Sequence, residues 1–180
     1  LGIISKILSK KYLITSIYYK NLKNLGSNEL LGYSAYIFFG GKMSANSQSE
    51  VTNNEFIFLK KLIKSNKLII GICLGAQLIA KIYGSKIYKN KNDLVEIGYR
   101  KLDKINEKFF KNVSSMLQFH NEGITYNSHM SIYAKGRNFE IDAFKIKKKK
   151  IYGFQFHPEV NESMIKNWYV NLSPIKKGTD

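Results

Sequence analysis

The 180-residue chain holds one cysteine, Cys73, and its neighbours decide what that sulfur can do. An apolar run, Leu68 to Ile72, passes through Gly71-Ile72-Cys73-Leu74-Gly75, and helical spacing follows at once in Leu74, Leu78, Ile79 and Ile82. A lone cysteine among apolar residues is usually a small buried hydrophobe. Glycines two positions either side of it change that reading. They let the chain turn sharply from strand to helix and keep neighbouring side chains clear, so the pattern is a nucleophile elbow. The N-terminus of the following helix favours an anionic sulfur through its dipole. The N–H groups there can stabilise an oxyanion.

A cysteine nucleophile needs a base, and the base needs a group to orient it. The histidines are His120, His129 and His157. His157 ends the apolar run Ile151 to Phe156 and leads into Pro158-Glu159. A strand end is where open α/β sheets place their sites. Glu159 is near enough in sequence to bond the second ring nitrogen and fix the tautomer. Cys73, His157 and Glu159 are therefore the candidate catalytic residues. His129, in Asn127-Ser128-His129-Met130, has no motif around it and reads as a loop residue. No Cys/His cluster has zinc spacing, and no phosphate-binding or dinucleotide glycine pattern occurs, so neither metal nor cofactor is implied.

These residues need a scaffold, and the remaining pattern supplies an α/β one. Helices are expected over Ile3–Lys10, Val51–Ser65, Leu74–Tyr83 and Ser163–Tyr169. Strands are expected over Leu13–Tyr19, Tyr36–Phe39, Leu68–Ile72, Val95–Leu102, Ser131–Ala134, Ile141–Ile146 and Ile151–Phe156. The first half alternates strand and helix and the second half is strand-rich. That order predicts a doubly wound, mostly parallel central sheet with flanking helices and a small antiparallel part. Lys147 to Lys150 reads as a solvated hairpin turn. The first helix starts at about residue 3, leaving no room for the strand that usually opens such a sheet, and the chain begins on Leu1 rather than Met. Both features point to a sheet that lacks its first strand. The length suits one domain over residues 1–180.

GICLGAQ followed later by GFQFHPE resembles the class I glutamine amidotransferase family, within it the group of stand-alone chains resembling the glutaminase domain of GMP synthase. The resemblance runs from the FFGG segment at Phe38–Gly41 to the HPEV segment and the helix after it, and includes Glu96-Ile97-Gly98-Tyr99. It implies a flavodoxin-like class I glutaminase fold. It implies that Cys73 attacks the glutamine carboxamide, that His157 moves the proton and that Glu159 holds His157. The backbone N–H groups of Gly41 and Leu74 would form the oxyanion hole. Gln77, His120 and Glu122 would contact substrate. Where relatives carry His-Gly-Asp, this chain reads His120-Asn121-Glu122; Glu122 keeps the charge that holds the α-amino group on an arm one methylene longer. Two activities are therefore open: a glutaminase supplying ammonia to a separate synthetase subunit docked near the active site, or a hydrolase of other γ-glutamyl amides or peptides.

Composition narrows the field further. At 44% hydrophobic residues the chain is globular in composition. No apolar run approaches the roughly 18–20 residues that span a bilayer, and no secretory signal is present, so no membrane partner is expected. A single cysteine offers no disulfide framework and suits a reducing, cytoplasmic setting. The net charge is +16, but nearly all of it is scattered Lys, with Arg100 and Arg137 the sole arginines. Arg is the better residue for phosphate and base readout, so the charge reads as compositional drift and solubility, and no nucleic-acid partner is expected.

Overall fold

The computed structural model describes residues 2–24 and 32–170. The elements are α1 (Gly2–Leu8), a 3-10 turn (Tyr19–Asn24), β1 (Ala35–Phe38), α2 (Glu50–Leu62), β2 (Leu68–Ile72), α3 (Leu74–Ile82), β3 (Ile87–Lys89), β4 (Glu96–Lys101), β5 (Asp103–Lys104), β6 (Ser115–His120), β7 (Glu122–Ile124), β8 (Met130–Lys135), β9 (Ile141–Ile146), β10 (Ile151–Phe154) and α4 (Glu162–Val170). The architecture is a mixed α/β fold with flanking helices around a central sheet in the order β1-β2-β10-β9-β8-β5. β2 is parallel to β1 on one side and to β10 on the other, and from β10 the sheet continues antiparallel through β9 and β8 to β5. Two ribbons, β3–β7 and β4–β6, stand beside it.

The parallel strands read as continuous apolar runs because both faces are covered. Helix α3 lies against β2, β10 and β1, and its residues Leu74 to Ala80 are all buried. The main core joins α2 (Phe58, Leu59, Leu62) and α3 (Leu74, Leu78, Ile79) to Ile69, Ile124, Phe144, Ile146 and Ile151. A second cluster on the antiparallel side gathers Leu102, Phe110, Ala134, Ala143 and Phe156. Ser49 starts α2 by accepting from the Thr52 N–H at 3.2 Å, with Glu50 in the first turn and Lys60 and Lys61 in the last, as the helix dipole favours. Helix α1 is tied to the functional loop: the Ile3 N–H donates to the Glu159 carbonyl at 2.8 Å.

One expected element is overturned. Leu13–Tyr19 is not a strand; the segment has no regular structure until the 3-10 turn begins at Tyr19. Ile17 packs against the main core, but Tyr12, Leu13 and Tyr18 are exposed and no described strand pairs with the segment. β propensity reflects fit to a half-buried pleated surface, and that surface is missing here. The other expected elements occur within a few residues of their forecast ends. Lys147–Lys150 is the turn between β9 and β10, with Lys148 at φ 59°. Among the described residues no helix is long and apolar enough to cross a membrane.

Candidate active site

Cys73 occupies the junction between β2 and α3, at φ 49°, ψ −108°. This is a strained, left-handed backbone for a residue with a side chain, and such strain persists where the surroundings enforce it. Two backbone bonds do so: the Cys73 N–H donates to the Phe154 carbonyl of β10 at 2.8 Å, and the Cys73 carbonyl accepts from the Gln77 N–H at 3.0 Å. The turn is so tight that a Cβ on Gly71 would lie 2.6 Å from the Gly75 carbonyl carbon and from the Ala76 nitrogen. Glycine is therefore a steric requirement at position 71. Leu74 begins α3, where backbone N–H groups lack partners within the helix.

His157 follows β10 and lies across from this sulfur. Its Nδ1 pairs with Glu159 Oε1 at 2.8 Å, and both side chains are buried. Its backbone N–H donates to the Leu117 carbonyl of β6 at 2.9 Å. Nε2 is buried without a conventional hydrogen bond, so it is the ring atom left open. Burial alone would lower the basicity of His157. The hydrogen bonds and charges of Cys73 and Glu159 outweigh it and push the imidazole up to about 10. Trp168 of α4 packs its edge against the His157 ring, centroids 4.9 Å apart, and stacks on Phe119 at 5.4 Å. The ring is thus wedged in place.

The Phe38–Gly41 turn at the end of β1 closes the third side. A Cβ on Gly40 would sit 2.9 Å from His157 Cε1 and 3.1 Å from Cys73 Cβ, so the bare backbone of Gly40 abuts both. Gly41 lies beside α3, where a Cβ would meet Leu74 Cδ2 at 3.3 Å. The two expected oxyanion donors, Gly41 and Leu74, are therefore neighbours.

The three expected substrate contacts are gathered on the opposite wall but are already bonded to protein. Gln77 is buried and its Nε2 donates to the Glu122 carbonyl at 3.2 Å and to Gln155 Oε1 at 3.3 Å. Glu122 begins β7; its carboxylate accepts from Ser44 Oγ at 2.6 Å. His120 has Nδ1 at 3.0 Å from the Glu122 carbonyl and Nε2 at 3.1 Å from Gln118 Oε1 and 3.3 Å from Glu96 Oε2. Nδ1 donates to the Glu122 carbonyl and Nε2 faces the oxygens of Gln118 and Glu96, so neither ring nitrogen is left open. Burial tends to raise the Glu96 carboxyl, but the bond and charge of His120, helped by Asn138 and Arg100, hold it below its usual range. Asp142 behaves oppositely. Burial first, then the charge of Glu96, push its carboxyl up to about 8 despite the Gln118 amide donating to Oδ2 at 2.9 Å. Glu96, His120 and Asp142 each offer a ligand atom, all within 4.8 Å of one another. A cation there would have to displace the bonds His120 makes to Glu96 and Gln118, so the donor set fits a proton-balanced network better than a metal.

Sequence reading alone did not single out Gly40, Ser44, Glu96, Gln118, Asp142, Gln155 or Trp168 as site residues. Gln155 sits inside the GFQFHPE segment, which is the one signal that could have found it. Glu96, Gln118 and Asp142 meet through long-range strand pairing, and Gly40, Ser44 and Trp168 are brought in by a loop and a helix. His129 lies in the exposed turn before β8, its ring 5.7 Å from that of Tyr83, away from the site.

The chain belongs to the class I glutamine amidotransferase family: the family model described as glutamine amidotransferase class-I matches residues 3–173. It is 30% identical over 172 residues to a glutamine-hydrolysing GMP synthase of Chlamydia muridarum, covering 88% of this chain but 32% of that protein, so it spans about a third of that relative's length. It is 28% identical over 160 residues to one subunit of the glutamine-hydrolysing GMP synthase of Saccharolobus solfataricus, covering 80% of this chain and 82% of that relative. The crystal structure of a glutamine amidotransferase from Thermotoga maritima matches with a TM-score of 0.83 and 26% identity, over 94% of this chain and 75% of that one.

Proposed function

We propose that this chain is a glutaminase that hydrolyses the side-chain amide of glutamine through a γ-glutamyl thioester on Cys73, and that the ammonia passes to a synthetase partner. The observation that carries the reading is the meeting of a strained elbow cysteine with a buried His157–Glu159 pair whose open nitrogen faces it. Cys73 passes its thiol proton to His157 Nε2 as the sulfur attacks the carboxamide carbon, and the carbonyl oxygen becomes an oxyanion held by the backbone N–H groups of Leu74 and Gly41. The C–N bond breaks as His157 Nε2 gives its proton to the departing ammonia. Water then adds to the thioester, losing a proton to His157. The C–S bond breaks with its electron pair returning to sulfur, and glutamate leaves. Glu159 keeps Nδ1 protonated throughout, so Nε2 is always the exchanging atom. The likeness to a relative that forms one subunit of a GMP synthase supports a separate synthetase as the acceptor of ammonia.

A second reading, a hydrolase of other γ-glutamyl amides, is favoured by one observation: the Glu122 carboxylate, on its longer arm, is already engaged by Ser44. Purified protein incubated with glutamine should release glutamate, and more of it with a synthetase of the GMP synthase type. Cys73→Ser should cut release by roughly 10³-fold or more. A γ-glutamyl peptide hydrolysed well ahead of glutamine would select the second reading. No turnover of either substrate, with or without the synthetase, would defeat both.

A further inference from the structure

Cys73 has two further polar neighbours besides His157: the Phe119 carbonyl, 4.0 Å from Sγ, and the Gln155 amide. Gln155 is 1% exposed, between the end of β10 and His157, and its Nε2 lies 3.7 Å from Cys73 Sγ. A buried amide costs free energy unless each end finds a partner. The sense of this amide follows from a chain of contacts that begins at an atom with one possible role. The Glu122 backbone carbonyl can only accept. Gln77 lies 3.2 Å from it and must therefore present its nitrogen there. The same nitrogen is 3.3 Å from Gln155, which must present its oxygen in return. That leaves the Gln155 N–H groups on the sulfur side. His120 strengthens the arrangement by also donating to the Glu122 carbonyl.

We infer that Gln155 is a further catalytic residue of this site, holding the Cys73 sulfur through an N–H donor that Gln77 keeps in register. The inference rests on the glutaminase reading but is tested separately from it. A donor aimed at sulfur gains strength whenever the sulfur carries charge. In the proposed cycle that happens twice: as Cys73 gives up its proton to attack, and when the C–S bond of the thioester breaks and the electron pair returns to Sγ. His157 cannot serve both as proton carrier and as fixed anchor. Gln155, which does not titrate, supplies the anchor while His157 exchanges protons. Gln77 then acts through Gln155 and is a positioning residue for the nucleophile.

Because Cys73 is the sole cysteine, alkylation by iodoacetamide reads this one group with no background. Gln155→Met keeps the side-chain length and removes the donor. The Cys73 alkylation rate at pH 7.5 should fall about tenfold, the lower end of the worth of a hydrogen bond to a charged group. Turnover should fall by at least as much, with KM unchanged within about twofold and glutamyl adduct accumulating on the protein in quenched samples. Gln155→Asn, which keeps a buried amide but withdraws the N–H by one methylene, should show the same losses and covers the case in which the Met variant does not fold. Alkylation within twofold of the unaltered protein in either folded variant would overturn the inference even if glutaminase activity stands. If the unaltered protein releases no glutamate, the functional reading fails, while the alkylation comparison still decides the role of Gln155.

Discussion

Two histidine–glutamate pairs are buried within this molecule, and they are used in opposite ways. His157 pairs with Glu159 at 2.8 Å and leaves Nε2 open toward Cys73. His120 pairs with Glu96 at 3.3 Å and spends both nitrogens on protein acceptors. The first pair has a vacancy for a proton in transit; the second has none. Burial and ion pairing alone therefore do not mark a catalytic histidine. The state of the second nitrogen does. The second pair instead fixes the Glu122 carbonyl, and through it Gln77 and Gln155, so its influence on Cys73 is mechanical.

The sharpest way to break the comparison is the same substitution made in each pair. Glu159→Gln should lower turnover by about 10²-fold in folded protein, because a neutral amide no longer supports the imidazolium that forms at His157, and it also gives up the stability of a buried pair. Glu96→Gln should cost stability alone. Removing one partner of a buried pair costs about 3 kcal/mol, read by urea unfolding, while turnover at saturating glutamine stays within about threefold. If Glu96→Gln proves the more damaging to turnover in folded protein, the division of labour is wrong.

A smaller effect sharpens it through pH. Asp142 is raised to about 8 from an unfolded value of 3.8, so between those limits the native state holds a proton that the unfolded state releases. Stability from this group is full at low pH and is lost as pH rises through about 8. Asp142→Asn, which keeps an acceptor for Gln118, removes that slope. Its unfolding free energy should improve relative to the unaltered protein between about pH 5 and pH 8, then run parallel. His157, raised from 6.5 to about 10, likewise contributes stability that is full below 6.5 and lost as pH rises through about 10. That contribution is common to both proteins and cancels in the difference. An unchanged difference across pH 5 to 8 would remove Asp142 from the buried network.

The cluster proposed as catalytic was legible in the sequence as a set of neighbours because it is local. The elbow is written within Gly71 to Gly75, and His157 to Glu159 lie three residues end to end. The structural half was not. Glu96, Gln118 and Asp142 come from β4, β6 and β9, and the pairing of β4 with β6 opposes Glu96 to His120 in a register no local pattern encodes. β3, β5 and β7 have two or three residues each, too short for alternation to register. Leu13–Tyr19 failed in the other direction, for strand-like composition carries no information about a missing neighbour. Gln77 shows the same limit at a single residue. Its motif points to a substrate contact, but the bonds of its amide nitrogen to Glu122 and Gln155 could be read only from the folded chain.

The bare backbone at Gly40 has one more consequence. A single methyl group placed there would fall between His157 and Cys73, at 2.9 Å from one and 3.1 Å from the other. Gly40→Ala would therefore behave as an inhibitor carried by the chain itself, pressing at once on the imidazole and on the nucleophile's own side chain.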